Sequence, residues 1–225
     1  MTKIVHPYAH RLGGSGIRDW KSRWYTGGKQ YVDFLKTDTI VRDFLKKELH
    51  GKYVSDVEIE RNDKNYKIII KTSRSGMIIG KGGEGVADLK KKIETSLKKR
   101  SIAVPENIRI EIEDVRNPEA DAGIVAASVV EGLERRMPFR RVMKSTIEKS
   151  MANKEVQGIK ISISGRLNGA EMSRKEYLKR GRIPLQTLRA DIDYREARAN
   201  LPYGVIGVKV WIYRGELFEK QRRDS

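Results

Sequence analysis

The stretch ERRMPFRRVMK, Glu134 to Lys144, is the densest cationic cluster in the chain: Arg135, Arg136, Arg140 and Arg141 stand within seven residues, Lys144 follows, and Glu134 is the one acidic neighbour. Cations at this density bind phosphate, because each one that neutralises a phosphate releases condensed counterions. A solvated charged face is the alternative for such a run. A second stretch, GMIIGKGGEGVADLKKKI, Gly76 to Ile93, carries glycines that fit two nucleotide-related patterns at once. Gly80, Gly82 and Gly85 satisfy the G-x-G-x-x-G pattern of dinucleotide folds; Gly80, Lys81, Gly82 and Gly83 form a shorter loop suited to clamping a sugar-phosphate backbone.

The neighbouring elements decide between these two patterns. A dinucleotide site needs its glycines between a buried parallel strand and a crossover helix. Here Met77-Ile78-Ile79 alone separates Gly76 from Gly80, and TSRSG breaks the chain before it, which is too short for a central strand. The two preceding strand candidates, Val54 to Glu60 and Tyr66 to Lys71, are joined by RNDKN, which predicts an antiparallel hairpin. The fingerprint is therefore read as accidental. A P-loop is excluded too, because Gly76-x-x-x-Gly80-Lys81 is one residue short and Gly82 stands where Ser or Thr is required.

What remains is a short apolar helix at Gly76 to Gly80, a glycine loop, and an amphipathic helix marked by Val86, Leu89, Ile93 and Leu97. Glycines there can take positive φ and hold no Cβ against a ligand backbone, and the following helix begins with free N–H groups. Lys81 adds a mobile cation. Ile78-Ile79-Gly80-Lys81-Gly82-Gly83 resembles the I-I-G-x-x-G loop of KH RNA-binding modules, which hold about four nucleotides of single-stranded RNA. A plain glycine hinge between two helices is the alternative.

Further elements complete the frame. Thr37 or Asp38 can cap a helix carrying Ile40, Val41, Phe44, Leu45 and Leu49, with Gly51 at its end, and Ile108, Ile110 and Ile112 alternate into a strand. From Thr37 to Val115 the order is α-β-β-α-α-β, which resembles the type II KH fold, so residues 37–115 are expected to form that domain. Residues 1–36 read as an extended basic N-terminal arm, with seven basic and two acidic residues. Trp20 and Trp24 lie among Arg18, Lys21 and Arg23, which suits contact with RNA or, equally simply, packing into a core.

Residues 116–217 read as a second α+β domain, followed by a short tail at 218–225. Asn117 can cap a helix with Pro118 at its first position, and Ala122, Val125, Ala126, Val129 and Leu133 form its stripe. A second helix starts near Pro138. Its Phe139, Val142, Met143, Thr146 and Ile147 face inward, so Arg140, Arg141 and Lys144 gather on the other side. Strands are expected at Ile159 to Ser164, Leu188 to Tyr194 and Val205 to Tyr213, with a basic helix or loop at MSRKEYLKRGR.

Composition narrows the function. The 225 residues carry a net charge of +17 and a pI near 10.0, a one-signed excess that a polyanion would neutralise. No cysteine is present, which removes disulfides, thiolate zinc sites and cysteine nucleophiles and fits a reducing cytosolic setting. Of the three histidines, His6, His10 and His50, the first two are four apart, but Pro7 intervenes and no carboxylate sits nearby to complete a metal shell; no apolar run approaches a membrane span. No paired carboxylates and no Ser-His arrangement are readable, so neither an enzyme nor a cofactor is expected.

Several blocks run the length of the chain in order: Val5-His6-Pro7 with Arg11-Leu12-Gly13; the glycine loop; Leu133-Glu134-Arg135-Arg136 with Phe139-Arg140-Arg141; Ser164-Gly165-Arg166-Leu167 with Gly169-Ala170-Glu171; Gly181-Arg182-Ile183-Pro184; Thr187 to Tyr194; and Tyr203 to Trp211. Together they resemble the family of third proteins of the bacterial small ribosomal subunit. The resemblance implies a cytoplasmic, ribosome-bound component of the subunit head that binds ribosomal RNA beside the channel where messenger RNA enters. It implies that Arg140, Arg141 and Lys144 help to separate messenger hairpins, with Arg135 and Arg136 in support, and that the tenth and fourteenth small-subunit proteins are neighbours. Asn168 departs from a glycine pair common in the family, and the chain ends soon after Glu216. A free KH-type regulator away from ribosomes is the alternative, and a nucleotide-dependent enzyme using the glycine fingerprint a more distant one.

Overall fold

The computed structural model describes residues 6–12, 19–62, 65–100, 102, 104–105 and 107–217. Val5, Gly13 and Arg18, the middle of the RNDKN turn and the tail at 218–225 lie outside the described residues. Two compact units form: one over Lys21–Arg116, the other joining Asn117 onward to the described residues among the first twenty.

The described residues of 1–36 do not form an extended arm. Pro7–His10 is a short helix, α1, capped by His6, whose Nδ1 accepts from the Ala9 N–H. Arg11 beside it is fully buried and donates from Nη2 to the carbonyls of Leu185 and Thr187 at 2.9 Å each, so these residues are tied into the second unit. Ser22–Arg23 is a two-residue strand, β1, and Lys29 already opens α2, Lys29–Glu48. The expected start at Thr37 or Asp38 falls inside that helix. Thr37 donates its hydroxyl to the Asp33 carbonyl at 2.8 Å, while Asp38, 4% exposed, accepts from Trp24 Nε1 at 2.8 Å and Tyr66 OH at 3.1 Å. These two cap-forming residue types are committed to partners in mid-helix, which is why their signal misleads.

The first unit continues with β2 (Val54–Arg61), β3 (Asn65–Thr72), α3 (Ser75–Ile79), α4 (Glu84–Lys98) and β4 (Asn107–Asp114). Its sheet runs β1-β2-β3-β4, with β2 and β3 antiparallel and β3 and β4 parallel. A parallel pair needs a crossover connection. Here α3, the glycine loop and α4 supply it, and the loop sits between the two helices. Val41 and Leu45 of α2 and Leu89, Ile93 and Leu97 of α4 close over Ile59, Ile68, Ile70 and Ile108 of the sheet. Each such side chain contributes about 1.5–3 kcal/mol on burial, which holds the crossover in place.

The second unit comprises α5 (Ala122–Glu134), α6 (Phe139–Ala152), β5 (Gly158–Gly165), β6 (Arg174–Gly181), β7 (Ala190–Leu201) and β8 (Gly204–Glu216). Its sheet is antiparallel in the order β6-β5-β8-β7. Val129, Leu133, Val142, Met143 and Ile147 of the helices pack on Ile159, Ile161, Ile163, Val208, Val210 and Ile212, which occupy one face by alternation. The expected cap at Asn117 is displaced: Pro118–Ala120 is a single 3₁₀ turn, and Asp121 caps α5 by accepting from Gly123 N–H at 2.8 Å and Ile124 N–H at 3.1 Å. Asn168, at φ 55°, holds the left-handed conformation that asparagine tolerates, so the turn forms there without a glycine.

MSRKEYLKRGR, expected as helix or loop, is largely the strand β6. Its polar composition suits an edge strand, where lysine and arginine discourage pairing with other chains. One apolar side chain, Leu178, packs on the core.

Candidate nucleic-acid interface

In the first unit the glycines divide by role. A Cβ on Gly85 would run into the carbonyl oxygens of Ile78 and Ile79, and one on Gly80 would stand 3.0 Å from the Gly85 nitrogen. Those two glycines let α3 and α4 touch. Gly82 and Gly83, at φ 59° and 85°, have open space where a Cβ would be, so they turn the loop without filling it. Gly83 also precedes α4 with no side-chain cap, leaving the helix's first N–H groups facing the loop, where the helix dipole favours an anion. Lys81 is exposed, flanked by exposed Met77 and Ile79. The segment before the loop is the helix α3, not a strand, which rules out a dinucleotide site for the same three glycines. Close packing at Gly85 is a role the sequence hinted at only through its place in the fingerprint.

In the second unit α5 ends in two hydrogen bonds characteristic of a Schellman motif: Arg136 N–H donates to Leu133 O at 2.8 Å and Met137 N–H to Gly132 O at 3.1 Å. The left-handed position usually given to glycine is held by Arg136 at φ 60°. An arginine there carries about 1–2 kcal/mol of backbone strain and projects its side chain from the tip of the α5–α6 turn. Arg135 pairs with Glu131 one turn back.

Arg140, Arg141 and Lys144 share the outer face of α6 and, with Pro138, Ser145 and Glu148, line an open depression. They do not stand alike. Arg140 makes a two-pronged ion pair with Glu176 of β6, Nε to Oε2 and Nη2 to Oε1, both 3.1 Å, and Arg174 Nε lies 3.4 Å from the same carboxylate. The hydrogen bond to Glu176 holds the Arg140 guanidinium above its ordinary pKa, and the same bond holds the Glu176 carboxyl below the ordinary carboxylate range. Arg141 and Lys144 are exposed and have no carboxylate partner among the described residues. They are the uncommitted charges of this face.

The aromatic and basic residues near the start of the chain behave otherwise. Trp24 packs on Tyr31 and Phe34 with ring centroids 5.3 and 5.8 Å away. Lys21 pairs with Asp56 at 2.6 Å, and Arg23 with Glu58 and Glu60 at 3.2 and 3.1 Å. Trp20 and Tyr25 leave their rings in solvent, at 61% and 99% exposure. Basic and aromatic groups that sequence reading passed over lie instead on β5 and β6, at Lys160, Lys175, Tyr177 and Lys179; their signal was the two-residue alternation of KEYLK. Among the described residues no cluster of His, Cys, Asp or Glu could hold a metal, and no helix is long and apolar enough to cross a membrane.

An α-β-β-α-α-β unit with a glycine loop between its central helices, joined to a cationic α+β unit, defines a KH-type RNA-binding protein. A KH-domain family model matches residues 40–120, and a model described as ribosomal protein S3, C-terminal domain, matches residues 129–212. The small ribosomal subunit protein uS3 of Nitrosococcus oceani is 45% identical over 220 residues, covering 98% of this chain and 94% of its own. That of Clostridium botulinum strain Okra is 46% identical over 222 residues, 99% of this chain and 96% of its own, and that of Alkalilimnicola ehrlichii is 46% identical over 221 residues. The chain belongs to the uS3 family of small ribosomal subunit proteins, which are structural components and not enzymes.

Proposed function

We propose that this protein is built into the head of the small ribosomal subunit in the cytoplasm. There it holds ribosomal RNA and lines the channel where messenger RNA enters, with the tenth and fourteenth small-subunit proteins as neighbours. Arg140, Arg141 and Lys144 grip single-strand phosphates of the incoming message, and Arg135 and Arg136 add charge at the adjoining turn. The observation that carries this reading is the pair Arg141 and Lys144, exposed on a helical face that Glu148 also lines and in ion-pair contact with no described carboxylate. Fixed cations of this kind favour the melted strand over the hairpin each time translocation draws the message inward. The ribosome supplies the work, so no nucleotide-hydrolysing site is required. The glycine loop, with Gly80, Lys81, Gly82 and Gly83, offers a second phosphate contact through open backbone and one cation.

Ribosomes carrying Arg140→Ala, Arg141→Ala and Lys144→Ala together should slow more on messages with stable hairpins than on unstructured ones. Equal slowing on both counts against the unwinding role. Loss of the protein from ribosomal fractions into free ones would favour the regulator instead.

A further inference from the structure

The sheet of the second unit has two unlike faces. One is buried under α5 and α6. On the other, the β7–β8 end is covered: His6, beside α1, sets its ring edge-on to Tyr194 at 4.7 Å, and Ile183 and Leu185 pack on Tyr194, Trp211 and Tyr213. The β5–β6 end is left open. There the register places Lys160 opposite Lys179 and Ser162 opposite Tyr177, so Lys175, Tyr177 and Lys179 point to the same side as Lys160. Tyr177 is 63% exposed. Lys160 Nζ stands 5.1 Å from the ring centroids of both Tyr177 and Trp211, and fixes the Tyr177 ring against the sheet by cation–π attraction.

We infer that this open end is a binding platform for single-stranded RNA, on which the Tyr177 ring stacks a base while Lys175 and Lys179 hold the flanking phosphates. Lys175 and Lys179 lie roughly 13 Å apart along the strand at ~3.3 Å per residue, a span that brackets one ring. Neither lysine has a carboxylate partner among the described residues, and of the carboxylates that the register puts on this face, Glu196 is taken by Lys209 at 3.0 Å and by Tyr194 OH, and Glu216 by Arg189. Burial and the neighbouring charges of Lys175 and Lys179 hold the Lys160 ammonium below its ordinary pKa, a repulsion that a phosphate would relieve. A protein partner fits less well: lysine is depleted in protein interfaces, and the apolar part of this face is already covered from within the chain. The inference rests on the chain being an RNA-binding protein. It is independent of the unwinding role of α6, which lies across the sheet.

The test is binding of the full chain to a twelve-nucleotide oligouridylate over a series of salt concentrations. Tyr177→Ala should weaken binding roughly tenfold with little change in salt slope, and Tyr177→Phe should restore it, because the ring and not the hydroxyl does the stacking. Lys175→Gln with Lys179→Gln should lower the slope by about 1.4, at ~0.7 per single-strand phosphate. If all three variants bind as the parent does while the Arg140, Arg141 and Lys144 alanine variant binds weakly, the platform is wrong and the α6 reading stands. If every variant including the last binds as the parent does, both fail. In small subunits carrying a photoreactive phenylalanine at position 177, attachment to RNA is expected, and attachment to protein alone would overturn the platform.

Discussion

Arg140 of α6 and Glu176 of β6 are joined by two hydrogen bonds of 3.1 Å, so the first cation of the proposed message-binding face is held by a carboxylate at one side. The bond aims the guanidinium while the carboxylate offsets part of its field. Arg141 and Lys144, with no such partner, carry the uncompensated charge. Glu176 therefore tunes this face, and removing its charge should strengthen RNA binding. Glu176→Gln should raise affinity for a single-stranded oligonucleotide and steepen its salt slope by about 0.7, the increment for one more phosphate contact. An unchanged slope would mean that Arg140 reaches phosphate without leaving its partner.

Arg136 should show stability and binding moving in opposite directions. Replacing it with glycine relieves the left-handed strain at φ 60° and should stabilise the chain by about 0.5–1 kcal/mol in denaturant unfolding, after the entropy of glycine in the unfolded chain is discounted. The same variant should bind RNA more weakly through the lost charge. Weaker binding without the gain in stability would mean that the turn is not strained.

Within the glycine loop, two substitutions should differ in kind. Gly85→Ala forces a methyl against the Ile78 and Ile79 carbonyls, which are fixed backbone, and should cost about 2–3 kcal/mol. Gly83→Ala meets open space and strains φ alone, for about 1 kcal/mol. Thermal unfolding of the two variants side by side measures the difference; equal losses would contradict the division of roles between these glycines.

Asp38 should behave as a buried acceptor and not as a helix cap. Asp38→Ala orphans two donors, Trp24 Nε1 and Tyr66 OH, and should cost roughly 2–6 kcal/mol, at about 1–3 kcal/mol for each unsatisfied buried group. A loss of about 1 kcal/mol or less in denaturant unfolding would assign it a capping role instead.

Alkaline pH should loosen the first unit through Tyr66. Burial, and then the Asp38 charge, push the Tyr66 phenol well above its ordinary value of 10.0 in the folded state. The folded state keeps the proton that the unfolded state releases, so this contribution is full below pH 10 and is lost progressively as the pH rises above it. Absorbance at 295 nm should show Tyr66 ionising only together with unfolding, and Tyr66→Phe should flatten the fall of stability above pH 10. Ionisation of Tyr66 ahead of unfolding would contradict this.

Much of the first unit was legible because its signals are local. Alternating isoleucines, an amphipathic helix over Leu89, Ile93 and Leu97, and a glycine loop between helices each imply one conformation, and together they leave one order of elements. What misled was residue chemistry with two uses. Thr37 and Asp38 look like caps until Trp24 and Tyr66 are seen to need an acceptor, and those partners come from other elements. Asn117 gave way to Asp121 because Pro118–Ala120 forms a separate 3₁₀ turn, so the free N–H groups of α5 begin at Ala122, within reach of the Asp121 carboxylate. KEYLK hid an edge strand, since one half-buried leucine among charges gives a weak period and the neighbouring strand supplies the missing order. The arginine cluster was visible as composition, but the partition of its charges was not, because Glu176 lies far along the chain from Arg140 and meets it only once the sheet is formed.

The most direct measurement is the attachment site of a photoreactive group placed at Lys144 in ribosomes engaged on a message. The account predicts bonds to messenger nucleotides just ahead of the decoding region, lost when the message is withheld. Bonds to ribosomal RNA or protein alone, the same with and without message, would contradict it.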